Sequence, residues 1–258
     1  GVLVTPTLSF DERGHQVNHM TYYCVGWSGN GEKPVDFYPT AEDFVGEGGN
    51  FERPYAIVKN AEGVKAGTRI EGLEAVGGLH FSEVTLEPEE ECSYLIFTGI
   101  TEDIQEIRNL SKTYTTREMV LEELEKTKAY WQEKVNVAYH TGDSDFNQFM
   151  HWVSFQPILR RIYGCSFLPH HDYGKGGRGW RDLWQDCLAL LIMNPDGVRQ
   201  MLLDNFAGVR VDGSNATIIG SKQGEFVADR NHITRVWMDH GVWPMITTKF
   251  YIDQTGDL

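Results

Sequence analysis

At Thr115 the spacing of apolar residues changes. Up to about residue 110 the apolar stretches are short and cut by Gly, Pro and Asn, and no helical period is sustained. From Thr115 onward, apolar residues recur three and four positions apart through one segment after another. This change limits the possible folds. Short strands must bury one face against another sheet, and amphipathic helices must bury theirs against other helices. At 258 residues with 41% hydrophobic content, there is material for one large domain or two modest ones, each with a real core.

The first part therefore reads as an antiparallel β-sandwich over residues 1–110. Its clearest strand pair is Leu79–Leu86 followed by Tyr94–Phe97, joined by a turn at Glu87-Pro88-Glu89-Glu90-Glu91. Gly46–Gly49 and Asn50 form a second loop. Residues 111–142 read as a helical linker. Thr115 and Glu118 have the spacing of a capping box. Val120, Leu124, Trp131 and Val135 line one face, and Glu122 and Lys126 form an i,i+4 pair on the surface.

Residues 143–258 read as helix after helix. Asp143 caps the first, whose stripe is Phe146, Phe149, Met150 and Val153. Pro157 should kink or end it, and Gly164 stops any continuation. The next helix carries Leu183, Cys187, Leu190 and Leu191. Asn194-Pro195 closes that helix and has the form of a cap and first helical position for another, which buries Val198, Met201, Leu202 and Phe206 and ends at Gly208. Residues 209–233 are a long excursion with turns at Asp212-Gly213 and Lys222–Gly224. A last helix holds Val242, Ile246, Phe250 and Tyr251. Antiparallel helix pairs, as in part of an α/α barrel, suit this pattern.

Net charge is −14, which argues against nucleic acid and anionic membrane as partners, since both need a basic face. No apolar run is long enough to span a bilayer. The four cysteines have no C-x-x-C spacing and read as free thiols of a reducing, cytoplasmic setting. The chain starts without Met and stops just after a helical pattern, as a piece of something longer would, or a processed or tagged chain.

Against the acidic background, His170–Asp186 stands out: HHDYGKGGRGWRDLWQD. Gly174–Gly179 matches G-x-G-x-x-G, but no strand precedes it and no βαβ unit surrounds it, so it is not a dinucleotide fingerprint. Its glycines let backbone N–H groups approach a ligand, and Lys175 and Arg178 add positive charge for an anion. A surface turn with two solvated cations has the same composition. Arg181 and Asp182 open a helix, either as a charge cap or as a donor fork and acceptor pair for vicinal sugar hydroxyls. Asp186 lies four residues on, on the same face. Trp180 and Trp237 are candidate sugar platforms, and Trp184 and Trp243 read as core. In Thr234–Trp243, Asp239 is flanked by Trp237, Met238 and His240. Aromatic neighbours would disfavour its charged form and raise its pKa toward use as a general acid, although a helix cap is also open to it. The adjacent His170 and His171 with Asp172 point apart, so no metal site is expected.

The strings GRGWRDLWQDCLALL and RVWMDHGVWPMITTKFYIDQTGDL, in the order sandwich, linker, helices, resemble the inverting glycoside phosphorylases of glycoside hydrolase family 94. The related β-glucan phosphorylase families 149 and 161 share the likeness. The resemblance implies an α+β multidomain fold: the end of a β-sandwich, a helical linker and the first part of an (α/α)6 barrel. It implies reversible, inverting phosphorolysis of a β-glucosidic bond in a gluco-oligosaccharide, with inorganic phosphate as co-substrate and no cofactor. Asp239 takes the place of the general acid. Arg181, Asp182, Trp237, Asp186 and Trp180 take that of the donor-sugar site. His170, Lys175 and Arg178 are candidates for part of the phosphate site. A homodimer is implied by the resemblance alone. The family's D-D-x-L-W becomes Asp239-His240-Gly241-Val242-Trp243, which leaves the acceptor side open. The rival readings are an inverting hydrolase and a non-catalytic saccharide-binding module.

Overall fold

A computed structural model describes residues 1–7, 18–165, 176–220, 222–227 and 238–258. The chain divides into two compact units, the first reaching Lys126 and the second running from Thr127 to Leu258. The break falls inside a helix of the stretch read as a linker.

The first unit contains strands β1 (Val2–Val4), β2 (Thr21–Ser28), β3 (Asp36–Thr40), β4 (Ala75–His80) and β5 (Tyr94–Thr101), with short helices α1 (Ala41–Val45) and α2 (Tyr55–Val58) and a longer α3 (Ile104–Thr113). β1, β2 and β5 form one antiparallel sheet, and β3 pairs with β4 in another. Aromatic and β-branched residues in β2 and β5 set their register, with Trp27 opposite Leu95 and Val25 opposite Phe97. Trp27 stacks on Phe97 at 5.1 Å between ring centroids. Val2, Trp27, Tyr38, Leu95 and Ile107 are buried there.

Two expectations change in this unit. The turn at Glu87–Glu90 is present, with Glu90 N donating to Glu87 O, but it joins no strand pair. β4 ends at His80 and pairs with β3, while β5 pairs with β2, some seventy residues earlier. Helix α3 was not anticipated. Asp103 caps it by accepting from Gln105 N at 2.8 Å.

α4 (Arg117–Lys134) follows. Its cap is Thr116, whose hydroxyl accepts from Met119 N, one residue later than the capping box was placed. Lys126 bridges Glu122 at 2.9 Å and Glu123 at 2.8 Å, and α4 buries no residue.

The second unit holds α5 (Ser144–Tyr163), β6 (Arg178–Gly179), α6 (Trp180–Met193), α7 (Val198–Phe206), β7 (Ile218–Ile219), β8 (Phe226–Val227) and α8 (Val242–Thr255). Asp143 caps α5 through Asp145 N and Phe146 N. Pro157 does not end α5. It lies on the buried face with Ser154 and Ile158, and the helix runs on to Tyr163. The forward stripe is the part that stays exposed, with Phe149 at 61%, because the later turns of α5 face the core. Asn194 closes α6 as expected but does not open α7, which Gly197, at φ 78°, precedes. β6, β7 and β8 make a small antiparallel sheet that periodicity could not reveal, since each strand has two residues.

α6 is the centre of this unit. Trp180, Leu183, Trp184, Cys187 and Leu190 are all at most 1% exposed, and a fully buried Leu of this kind contributes about 1.5–3 kcal/mol. α8 is fastened to α6 at two points. Trp180 Nε1 donates to His240 O at 3.0 Å, and Thr247 Oγ1 donates to Trp184 O at 3.0 Å. These bonds bring the turn before α8 onto the first turn of α6.

Candidate active site

That juxtaposition brings Arg181 to Asp239. Arg181 Nη1 donates to Asp239 Oδ2 at 2.8 Å, across 58 residues of sequence. Trp243 Nε1, one helical turn beyond Asp239, donates to the same oxygen at 3.2 Å. Backbone N–H groups of Val242 and Trp243 donate to Asp239 O, so this residue turns the chain into α8 through its carbonyl while its carboxylate is left to Arg181 and Trp243. Asp182 follows Arg181 in the first turn of α6 and is half-buried. His240 is buried, which pulls its pKa below the ordinary value.

The electrostatics of Asp239 run opposite to expectation. The hydrogen bond from Arg181, then that from Trp243, hold its carboxyl below the usual range. The aromatic residue that reaches it in the described structure presents an N–H donor, not a desolvating face, and a donor favours the charged form. As it stands, Asp239 is a carboxylate in an ion pair.

Three further expectations are corrected. Trp180 offers no platform to a sugar, because it is 0% exposed and packs in the core, edge-on to Trp184. Asp186 is buried and forms a two-pronged pair with Arg160, with Nε to Oδ2 at 2.7 Å and a second bond from Nη2 to Oδ1. It ties α6 to α5 and is not open to a ligand. Burial pushes its carboxyl above the ordinary range, although Arg160 opposes this. Arg178 is occupied too. Its Nε and Nη2 donate to the carbonyls of Arg160 and Arg161 at 3.1 and 2.6 Å, ending α5, and burial pulls its guanidinium down. It is a cap for helix carbonyls and does not stand ready for phosphate.

His170, Lys175 and Trp237 lie outside the described residues, as do His171 and Asp172. Among the described residues no cluster of His, Cys, Asp or Glu has the makings of a metal site, and no helix is long and apolar enough to cross a membrane. A cavity of about 560 Å³ lies along α8, lined by Phe206, Val209, Pro244, Met245, Thr248 and Ile252 among others. Neither Arg181 nor Asp239 lines it, so volume and chemistry do not coincide here.

The sequence reading missed the contact of Trp243 with Asp239. The signal was present, since the two are four apart at the start of a helix, but Trp243 also satisfied the pattern of a core residue.

A carboxylate, a guanidinium and an indole gathered at a helix-to-helix junction are the side-chain types that handle sugars in carbohydrate-active proteins. Comparison with known sequences makes this specific. The sequence model of the glycosyl hydrolase 94 superfamily catalytic domain matches residues 130–258. That of the glycosyl hydrolase 94 supersandwich domain matches residues 10–117. The chain belongs to glycoside hydrolase family 94. It is also 27% identical over 203 residues to the cyclic β-(1,2)-glucan synthase NdvB of Rhizobium meliloti (strain 1021), a match covering 74% of this chain and 6% of that protein. The two domain matches flank the break within α4, with the supersandwich on the β-rich side and the catalytic domain on the helical side.

Proposed function

We propose that the chain carries the acid and donor-sugar side of an inverting glycoside phosphorylase, acting on a β-linked gluco-oligosaccharide with inorganic phosphate. The observation that carries this reading is the meeting of Asp239 with Arg181, beside Asp182, in a chain of family 94. An inverting hydrolase needs two carboxylates, one as acid and one to activate water. A phosphorylase needs the acid alone, because phosphate is the nucleophile. Asp239 gives its proton to the leaving glycosidic oxygen. The bond from the anomeric carbon to that oxygen breaks as a phosphate oxygen bonds from the opposite face. The proton of hydrogen phosphate then returns to the Asp239 carboxylate. The products are an α-sugar 1-phosphate and a shortened saccharide. Arg181 and Asp182 hold the donor sugar, with Trp237 as its platform. His170 and Lys175 remain our candidates on the phosphate side, and helices α5–α8 would belong to an (α/α)6 barrel. The relative's name makes β-(1,2)-linked glucans the first substrates to try.

The test is to incubate the protein, as this chain and within any longer parent, with β-linked gluco-oligosaccharides and phosphate and to assay sugar 1-phosphate. Asp239→Asn should lower the rate by about 100- to 10,000-fold. An unchanged rate removes Asp239 as the acid. Sugar release that is independent of phosphate makes the protein a hydrolase instead.

A further inference from the structure

A general acid must hold a proton, yet Asp239 is paired with an arginine that favours its loss. Arg181 and Trp243 both donate to Oδ2, and neither bonds Oδ1. The Arg181 and Asp239 side chains are 46% and 42% exposed, and an ion pair in that setting holds weakly against competing partners. We propose that Arg181 exchanges Asp239 for the donor sugar: in the unliganded chain it holds Asp239 as a carboxylate, and when hydroxyls of the donor sugar draw its guanidinium away, Asp239 is released to carry the catalytic proton on Oδ1. This rests on the reading of Arg181 and Asp182 as the sugar grip.

The acid is thereby armed only when the donor sugar is in place, and a saccharide lacking the hydroxyls that draw Arg181 away would bind without being cut. Trp243 is a positioning residue in this scheme. It sits one turn along from Asp239, so its bond to Oδ2 persists while Arg181 changes partner, and Oδ1 keeps its direction. Among the described residues, Arg181 from α6 is the charged group that bears on the acid, and Asp239, Arg181 and Asp182 all bear on His240 in the acid's own turn. α8 contributes the Trp243 indole. His240 is buried with its pKa lowered, so Arg181 is the cation whose departure changes the charge balance at Asp239.

The experiment follows the Asp239 side-chain carboxyl carbon by NMR against pH in the full 258-residue chain. In the free protein, Arg181→Gln should raise the midpoint, increasing proton affinity by about tenfold. Saturating sophorose, laminaribiose or cellobiose should raise the wild-type midpoint in the same direction and leave that of Arg181→Gln unmoved. Trp243→Phe should raise the midpoint both with and without saccharide, which a purely structural tryptophan would not do. If the amide signals of Arg181 and Asp182 shift with saccharide while the Asp239 midpoint stays put, the exchange is refuted and the sugar site stands. If no disaccharide moves those amides, the sugar site is refuted and the exchange falls with it. If Arg181→Gln leaves the free midpoint unchanged, the ion pair does not control the acid.

Discussion

The Arg160–Asp186 pair allows a quantitative prediction. Asp186 is 7% exposed and Arg160 34%, so the carboxylate gives up nearly all its water and the guanidinium about two thirds. Burial raises the Asp186 carboxyl more than Arg160 lowers it, whereas the bond to Asp186 raises the Arg160 guanidinium despite its own burial. Desolvation and attraction therefore largely offset, and the pair as a whole adds little to stability. Removing one member is another matter. Asp186→Leu strands Arg160 against α6, and breaking a buried pair costs about 3–5 kcal/mol. Because Arg160 recovers some water, the loss should lie at the lower end, about 3 kcal/mol. With a urea dependence of roughly 2 kcal/mol per molar, the unfolding midpoint should fall by about 1.5 M. The double variant Arg160→Met/Asp186→Leu should return to within about 1 kcal/mol of wild type. The pH dependence has a definite sign. A carboxyl whose folded pKa is raised contributes stability that is full below its unfolded value, near 3.8, and lost as pH rises through the folded value. Wild type should therefore gain on the double variant as pH is lowered through that window. Urea unfolding followed by the fluorescence of buried Trp180 and Trp184 gives all three numbers. A single variant within about 1 kcal/mol of wild type, or a double as unstable as the single, would refute the reasoning.

Two further outcomes can be checked. Gly164 closes α5 at φ 69° and ψ −158°, a conformation that costs a side chain about 1–3 kcal/mol, and an added Cβ would strike the backbone of Gly176 and Gly177. Gly164→Ala should lose about 2 kcal/mol or more in the same urea assay, and an unmoved midpoint would show that the backbone yields there without cost. Exposed Cys92 should be alkylated first. Cys187, buried and pushed up to about 12, stays a protonated thiol at working pH and should resist until unfolding. Mass mapping after a short treatment decides this, and early labelling of Cys187 would mean that α6 opens locally.

Much of the helical half was legible because burial follows a period that sequence displays. Leu183, Cys187 and Leu190 repeat at three and four and are all buried, and Asp143 and Gly164 bound α5 as their chemistry requires. The β half was legible only as a class. β2 and β5 pair across more than sixty intervening residues, and nothing local marks such a partner. In the site, the types were visible but not their neighbours. Arg178 looked like a ligand for anions because it lies among glycines, and it spends its donors on the end of α5. Trp180 sat where a platform was wanted and is the anchor of the core. Asp239 was given a raised pKa from its sequence neighbours, while its true partner, Arg181, comes from another helix. Pairings made by tertiary structure decide charge state, and they leave little trace in one chain read alone.

The fastening at the end of α5 has a consequence for how this site can change. Cys165 N donates to Gly177 O at 2.8 Å, and Arg178 grips the carbonyls of Arg160 and Arg161 in the last turn of the helix. The two ends of the intervening stretch are thus held together by bonds that do not involve the residues between them. Closing a loop costs only about 0.6 kcal/mol more for each doubling of its length. By that estimate the length of the sequence between the two fastened ends bears little on the helices, and Arg181 and Asp182 stay fixed one turn beyond the fastening. On the proposed reading, the residues assigned to phosphate could change in descent or in the laboratory while those assigned to the donor sugar keep their positions.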